Sequence, residues 1–337
     1  MSRFGIYFHQ ETCQTSIPRR EIEFVGHSLP YFDAVREQLA STLRQYYPEI
    51  PLRKAAYDQF LTVHDPSYLD AIRRMSTDNQ PQEIPKMSME CIGYEYCLPG
   101  YLYSLGGLLE AVDLINEGKL ERAYCFSLGG HHAYADWGHG YCLLNPQAAA
   151  IRYAQERGFN NILVVDWDLQ HGDGTQSIFA HDSSVYCISI HSVMDLYMAF
   201  MTVLESGTTT TAHAVGHCNI PVLQDLFDDE FFQKMMSLDG AYYRAEDTLS
   251  VFRQSLEDLP FSPDMIFIFS GYDAHIDDCG DGVTDWTYDD FQFLTEMVLD
   301  VAVDALCPVI SSHGGGYNLD VTVKAAYRHI ETLATYW

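Results

Sequence analysis

Ile162-Leu-Val-Val-Asp-Trp-Asp-Leu-Gln-His-Gly-Asp-Gly174 runs a short apolar stretch straight into a polar cluster that holds Asp166, Asp168, Gln170, His171 and Asp173. Four apolar residues without polar alternation read as a strand buried on both faces, as in parallel sheets covered by helices. The pattern recurs: Phe4 to Phe8, Ala123 to Ser127, Val185 to Ile190, Met265 to Ser270 and Val309 to Ser312 read as further strands. Helical patterns lie between them, at Tyr31 to Tyr46, Ser67 to Met75, Tyr101 to Asn116, Pro146 to Arg157, Gly240 to Leu256 and Tyr288 to Ala305. The alternation predicts an α/β fold, a mostly parallel β-sheet flanked by helices on both faces. No Ser/Pro/Gly-rich linker divides the 337 residues, so a single domain over 1–337 is expected.

Ligands of such sheets bind beyond the carboxyl ends of the strands. Four strands end in clusters of His, Asp and Gly: Gly129-Gly-His-His132, Asp166 to Gly174, Gly271-Tyr-Asp-Ala-His275 and His313-Gly-Gly-Gly-Tyr317. A metal-dependent hydrolase needs that collection, and a merely soluble fold gains nothing from it. Asp168 and Asp273 are the best metal-ligand candidates, because carboxylates from separate strand ends converge on one cation and leave coordination open for water and substrate. A lone aspartate after a strand is more often a helix N-cap, so the reading rests on the four clusters together. Of His131 and His132, one suits proton abstraction from water and the other suits steadying negative charge. Asp166 and Asp173 suit the orienting of their far ring nitrogens. Tyr317, after three glycines, is placed to aim its phenol at a polarised carbonyl, although a tyrosine after a glycine turn is by itself ordinary packing.

The chain holds 19 basic and 47 acidic residues, a formal net charge of -28. That balance argues against nucleic acid and anionic membrane as partners and favours a cationic substrate, while also serving solubility. No apolar stretch is long enough to span a bilayer, and the first ten residues lack the apolar core of a signal peptide. Nine cysteines without a CxxC pair read as reduced thiols, which places the protein in the cytoplasm. Between Ile190 and Val222 the regular pattern breaks, and an atypical loop is expected at about 191–218. His9, His27, His181, His213, His217 and His329 read as surface or loop residues. His139 stays open through its proximity to Gly140, and His275 and His313 stand beside expected site residues.

These motifs resemble the histone deacetylase and acetylpolyamine amidohydrolase family, of the arginase-like α/β fold. The matching segments are Gly129-Gly-His-His132, Gly140-Tyr-Cys-Leu-Leu-Asn145, Val165 to Gln176, Ser270-Gly-Tyr-Asp-Ala-His275 and Gly314-Gly-Gly-Tyr-Asn-Leu319, with Leu61-Thr-Val-His64 and Tyr68 similar to the family's N-terminal region. The resemblance implies zinc-dependent removal of an acetyl or acyl group from an amine: acetyl-lysine, an acetylpolyamine or a small acylated metabolite. It implies zinc on Asp168 and Asp273 with Gln170 at the third ligand position, His132 as general base and acid, and His131 as electrostatic partner. Asp166 and Asp173 become the carboxylates of the two imidazoles, and Tyr317 polarises the acyl carbonyl. Gly140 accepts the substrate amide, Tyr141 walls the acyl tunnel, and Glu95 stands where members grip substrate at the rim. Asp166, Asp168, Ser189 and Ile190 match a monovalent-cation (K+) site.

Two departures stand out. The family carries a zinc-binding histidine where this chain has Gln170, and a neutral amide is a much poorer zinc ligand, so zinc binds weakly or not at all. An inactivating change, a natural member with altered metal use, and a protein that binds acyl-amines without turnover all fit this difference. The family's aromatic-Pro-Gly-Thr-Gly turn after His191 is also replaced, by Tyr197 to Gly207. An arginase-type two-manganese centre fits less well, because it uses Asp-x-His-x-Asp where this chain has Asp166-Trp-Asp-Leu-Gln170.

Overall fold

A computed structural model describes residues 3–16, 25–77, 85–193, 217–225 and 242–336. The fold is α/β, with seven parallel strands flanked by helices. The strands are β1 (Phe4–Tyr7), β2 (Arg122–Cys125), β3 (Ile162–Asp166), β4 (Val185–Ser192), β5 (His217–Val222), β6 (Met265–Ser270) and β7 (Val309–His313). The helices among the described residues are α1 (Val25–Leu43), α2 (Pro66–Thr77), α3 (Leu98–Asn116), α4 (Pro146–Glu156), α5 (Asp173–Phe179), α6 (Thr248–Glu257), α7 (Tyr288–Ala305) and α8 (Leu319–Thr335).

The chain divides into two compact units. Unit 1 comprises Met1–Phe159, Asp173–Ile178 and Pro308–Gly314, and unit 2 comprises Asn160–Gly172, Phe179–Cys307 and Gly315–Trp337. In unit 1, β2 pairs in parallel with β1 and with β7. Phe8, Tyr124, Phe126 and His313 pack into an aromatic core there, and Tyr124 Oη lies 2.7 Å from His313 Nδ1. Burial pushes the His313 imidazole down to about 3, so the ring is neutral in this core. In unit 2, β3 pairs in parallel with β6 and β4, and β4 with β5. Trp167, Tyr272, Phe291 and His329 fill the interior around them.

Local chemistry explains the helix starts that border the strand-end loops. Asn145 caps α4, its side-chain oxygen accepting from Ala148 N at 2.9 Å, and Pro146 follows at a position that has no intrahelical N–H bond to lose. The same asparagine donates through Nδ2 to Thr175 Oγ1 at 3.0 Å, and its backbone N–H reaches His64 Nε2 at 3.0 Å. The family-like His64 and Asn145 are thus a buried brace. Thr287 and Asp290 close a reciprocal box at the start of α7, with Thr287 N donating to Asp290 Oδ2 at 2.7 Å.

Three expectations need correction. The stretch expected to be loop as far as 218 already contains the start of β5, whose six residues are all buried; residues 194–216 of that stretch lie outside the described residues. His217, Asn219 and Pro221 hid the strand, because they break an apolar run, and Pro221 is tolerated on a strand that ends its ladder. Helix α8 went unread although Val321, Ala325, His329 and Leu333 recur every four residues on its buried face. His329 is therefore no surface residue: it is fully buried, with Nδ1 2.7 Å from Thr295 Oγ1 of α7, and His217 is buried as well. Of the segment expected to be helical from Gly240, residues 240–241 lie outside the described residues, and among the described ones the α-helix begins at Thr248.

Candidate functional site

Asp173 organises the histidine-rich part of unit 1. As the first residue of α5 it is buried, and Oδ1 accepts from His132 Nδ1 and from Gly174 N, each at 2.9 Å. Oδ2 accepts from Tyr134 Oη at 3.0 Å and lies 3.0 Å from His139 Nε2. Burial alone would raise the carboxyl, but the His139 and His132 imidazoles reverse this and hold it well below the usual carboxylate range. An ionised acceptor fixes the His132 proton on Nδ1 and leaves the lone pair on Nε2. Burial, then the neighbouring His131 ring, pushes the His132 imidazole down to about 4, so the ring is neutral at pH 7 and able to take a proton.

His131 is buried, with its ring centroid 3.9 Å from that of His132, and its backbone oxygen accepts from Thr175 N at 2.9 Å. Gly140 stands against the His132 ring. Its φ is 54°, and a Cβ there would come to 2.8 Å from His132 Cγ. Only glycine combines that backbone with that approach. The neighbouring Tyr141 also has positive φ, 61°, and its ring centroid lies 6.2 Å from that of Tyr94.

Glu95 is buried and turned onto its own 3-10 turn, with Oε2 accepting from Gly93 N at 2.7 Å, and burial raises its carboxyl above the usual value. Glu90, which the sequence did not single out, receives Gly140 N on Oε1 at 3.1 Å. His139, left open above, joins the group: it stacks on Trp137 at 4.3 Å and reaches Asp173. His132, His139 and Asp173 are by residue type a set able to hold a cation. The hydrogen bond from His132 Nδ1 already uses that nitrogen, which favours the imidazole-carboxylate reading.

Unit 2 holds the expected metal ligands. Asp168 lies just beyond β3 and Asp273 beyond β6, and both are almost wholly buried. Leu169 N donates to Asp273 Oδ1 at 3.0 Å, and Gly315 N donates to Asp168 Oδ2 at 2.7 Å. A Cβ on Gly315 would sit 2.7 Å from an oxygen of each carboxylate, and one on Gly271 would meet Asp168 Oδ2 at 2.6 Å. Burial, and then the Asp168 charge, raises the Asp273 carboxyl well above the ordinary range. Two buried, converging carboxylates in a glycine cradle fit a divalent cation. The third donor is the Gln170 amide; oriented so that its NH2 and not its oxygen faces the two acids, as hydrogen bonding requires, its nitrogen lies 2.9 Å from Asp168 Oδ1 and 2.6 Å from Asp273 Oδ2.

The remaining candidates are spread over unit 2. Asp166, the last residue of β3, accepts from Asp168 N at 3.0 Å and stands opposite Ser189 in the β3–β4 register. Ser189 Oγ lies 2.9 Å from His191 Nδ1, and Ile190 is buried beside it. His171 stacks on His191 with ring centroids 4.1 Å apart. Tyr317 is 55% exposed, and its backbone N–H donates to Asp278 Oδ2 at 2.7 Å. His275 is buried and accepts from Asp277 N at 3.0 Å, a loop-bracing role. His131 and Asp166 belong to different units.

The profile of the histone deacetylase domain matches residues 29–333. The chain is 24% identical over 345 residues to a protein named Polyamine deacetylase HDAC10 from Homo sapiens, covering 98% of this chain and 48% of the relative. It is 30% identical over 238 residues to Histone deacetylase 6 of Caenorhabditis elegans, covering 68% of this chain and 23% of the relative. A Probable deacetylase of Archaeoglobus fulgidus is 28% identical over 81% of this chain and 70% of its own length. The crystal structure of the HDA15 HD domain superposes with a TM-score of 0.69 at 23% identity, over 91% of this chain and 84% of that one, which speaks for the fold alone. The chain spans about half the length of the animal polyamine deacetylases it matches.

Proposed function

Since this chain belongs to the histone deacetylase family, we propose that it removes an acyl group, acetyl in the simplest case, from an amine by hydrolysis of the amide bond. The observation that carries the reading is the buried His132–Asp173 pair, 2.9 Å apart, with an imidazole that stays neutral down to about pH 4.

In this reading Asp168 and Asp273 hold a divalent cation. Bound there, it would supply the Lewis acidity that polarises an acyl oxygen and acidifies water. His132 takes the proton of the attacking water on Nε2 and returns it to the leaving amine, while Asp173 holds the ring in the required tautomer. His131 is the electrostatic partner, and the Tyr317 phenol donates to the oxyanion. Gly140 and Tyr141 line the acyl end of the substrate, while the buried Glu95, bonded to Gly93 N, is not free to reach its rim; Asp166, Asp168, Ser189 and Ile190 would hold a potassium ion. The net charge of -28 favours a cationic acyl-amine such as an acetylpolyamine or an acetyl-lysine peptide. A cytoplasmic setting suits a chain none of whose nine cysteines is in a disulfide; among the described residues no helix is long and apolar enough to cross a membrane.

A panel of fluorogenic acetyl-lysine peptides and acetylpolyamines, assayed with added divalent metals, tests the proposal. Turnover is expected, and Tyr317→Phe lowers kcat by roughly 100-fold or more; unchanged turnover in that variant removes Tyr317 from the mechanism. A second reading, ligand binding without turnover, is favoured by the Gln170 amide between the two carboxylates. It expects acyl-amine binding with no turnover even in Gln170→His.

A further inference from the structure

Each oxygen of the two buried carboxylates of unit 2 receives at least one N–H from the protein. Asp168 Oδ1 accepts from Gln170 N at 3.1 Å and from the Gln170 amide at 2.9 Å, and Oδ2 accepts from Gly315 N at 2.7 Å. Asp273 Oδ1 accepts from Leu169 N at 3.0 Å, and Oδ2 accepts from the Gln170 amide at 2.6 Å. All four oxygens thus receive an N–H, and one side-chain NH2 spans both residues. Two carboxylates without a countercharge are costly to bury, and a bridging donor offsets part of that cost.

We infer that Gln170 is the resident occupant of the metal position: its NH2 bridges Asp168 and Asp273 in place of a cation, so the centre is held together without metal and a cation enters only by displacing the amide. An imidazole at the same position cannot do this. A neutral histidine has one N–H, and the nitrogen turned toward a metal carries a lone pair that faces the carboxylates. The inference concerns the same residues as the proposed deacylase centre, but its test reads folding and binding and is independent of turnover.

An amide that serves merely as a weak ligand and an amide that must be displaced predict opposite effects of deleting it. If Gln170 is a ligand, Gln170→Ala binds metal more weakly than the wild type. If it is an occupant, Gln170→Ala frees both carboxylates and binds metal more tightly, by roughly 100-fold for the two charge-assisted hydrogen bonds no longer broken.

The experiment uses the whole chain, stripped with a chelator, as wild type, Gln170→Ala and Gln170→His. Zinc and manganese affinities are read by competition with a chromophoric chelator, and thermal unfolding is followed without metal. Zinc affinity in the order Gln170→His, Gln170→Ala, wild type is expected, with the stripped wild type melting about 5 °C above either variant. Weaker zinc binding by Gln170→Ala than by wild type overturns the inference, as does a stripped Gln170→His that melts with the wild type. Should Gln170→Ala not yield folded protein without metal while Gln170→His does, the melting comparison of Gln170→His with wild type decides.

Discussion

Gly140→Ala isolates the packing that aims His132. A Cβ at this position would lie 2.8 Å from His132 Cγ and 3.0 Å from Nε2, against 3.4–4 Å for ordinary contact, so the ring must shift. The ring's Nδ1 is tied to Asp173 at 2.9 Å, and a shift weakens that bond. Loss of a hydrogen bond to an ionised group costs about 1.5–3 kcal/mol. An alanine at φ 54° adds a backbone cost of roughly 1–2 kcal/mol. The variant is therefore expected to lose about 3–5 kcal/mol of stability, a fall in Tm on the order of 10 °C. Gly158 provides the control within the same unit: φ is 95°, and a Cβ there meets nothing within 4 Å. Gly158→Ala should show the backbone cost alone, about 1–2 kcal/mol. Thermal and urea unfolding of the two variants, side by side with wild type, measures the difference; where turnover is present, Gly140→Ala also loses roughly 100-fold through misplacement of the base. Equal stability of the two variants would refute the claim that Gly140 is set by the His132 ring.

Acid should destabilise the protein before ordinary carboxylates titrate. Burial holds His64 at about 4, His132 at about 4 and His313 at about 3. Unfolded histidine titrates near about 6.5, so the unfolded chain binds more protons below that pH, and the stability of neutral burial, present above it, drains away as pH falls toward 4. Each imidazole contributes on the order of 3 kcal/mol; a urea midpoint that stays flat from pH 7.5 to 5 would contradict this. Asn145→Ala should cost about 2–3 kcal/mol, from the lost α4 cap and the lost partner of Thr175, while Asn145→Asp keeps the cap and costs less. A cost below about 0.5 kcal/mol in urea titration would show that the brace is redundant.

What was legible in the sequence followed from how each residue earns its position. Strands β3 and β6 were plain because burial on both faces leaves an uninterrupted apolar run, and Asp168 and Asp273 stood out because they follow those runs directly. Strand β5 was not plain, since His217, Asn219 and Pro221 occupy a strand that ends its ladder, where the apolar pattern is relaxed. Helix α8 was missed because His329, polar by type, sits on the buried face and is satisfied by Thr295, a partner 34 residues away. Glu90 carried no local signal: its carboxylate meets Gly140 N, 50 residues on, through a fold-dependent approach. His139 was half visible, as a neighbour of Gly140, but its contact with Asp173 depends on where α5 begins. The substitution at Gln170 was visible at once; what its amide does between two acids was not, because a missing ligand and a substituted one look alike in a string of letters.

The Gln170 bridge also bears on how such a centre changes over generations. Glutamine and histidine codons differ only in their third base, so one nucleotide change trades a bridging NH2 for an imidazole. Everything else around the position stays as it is: both carboxylates, the glycines at 271 and 315, and the backbone donors Leu169 and Gly315. A lineage therefore passes between a self-bridged centre and a metal-seeking one in a single mutational step.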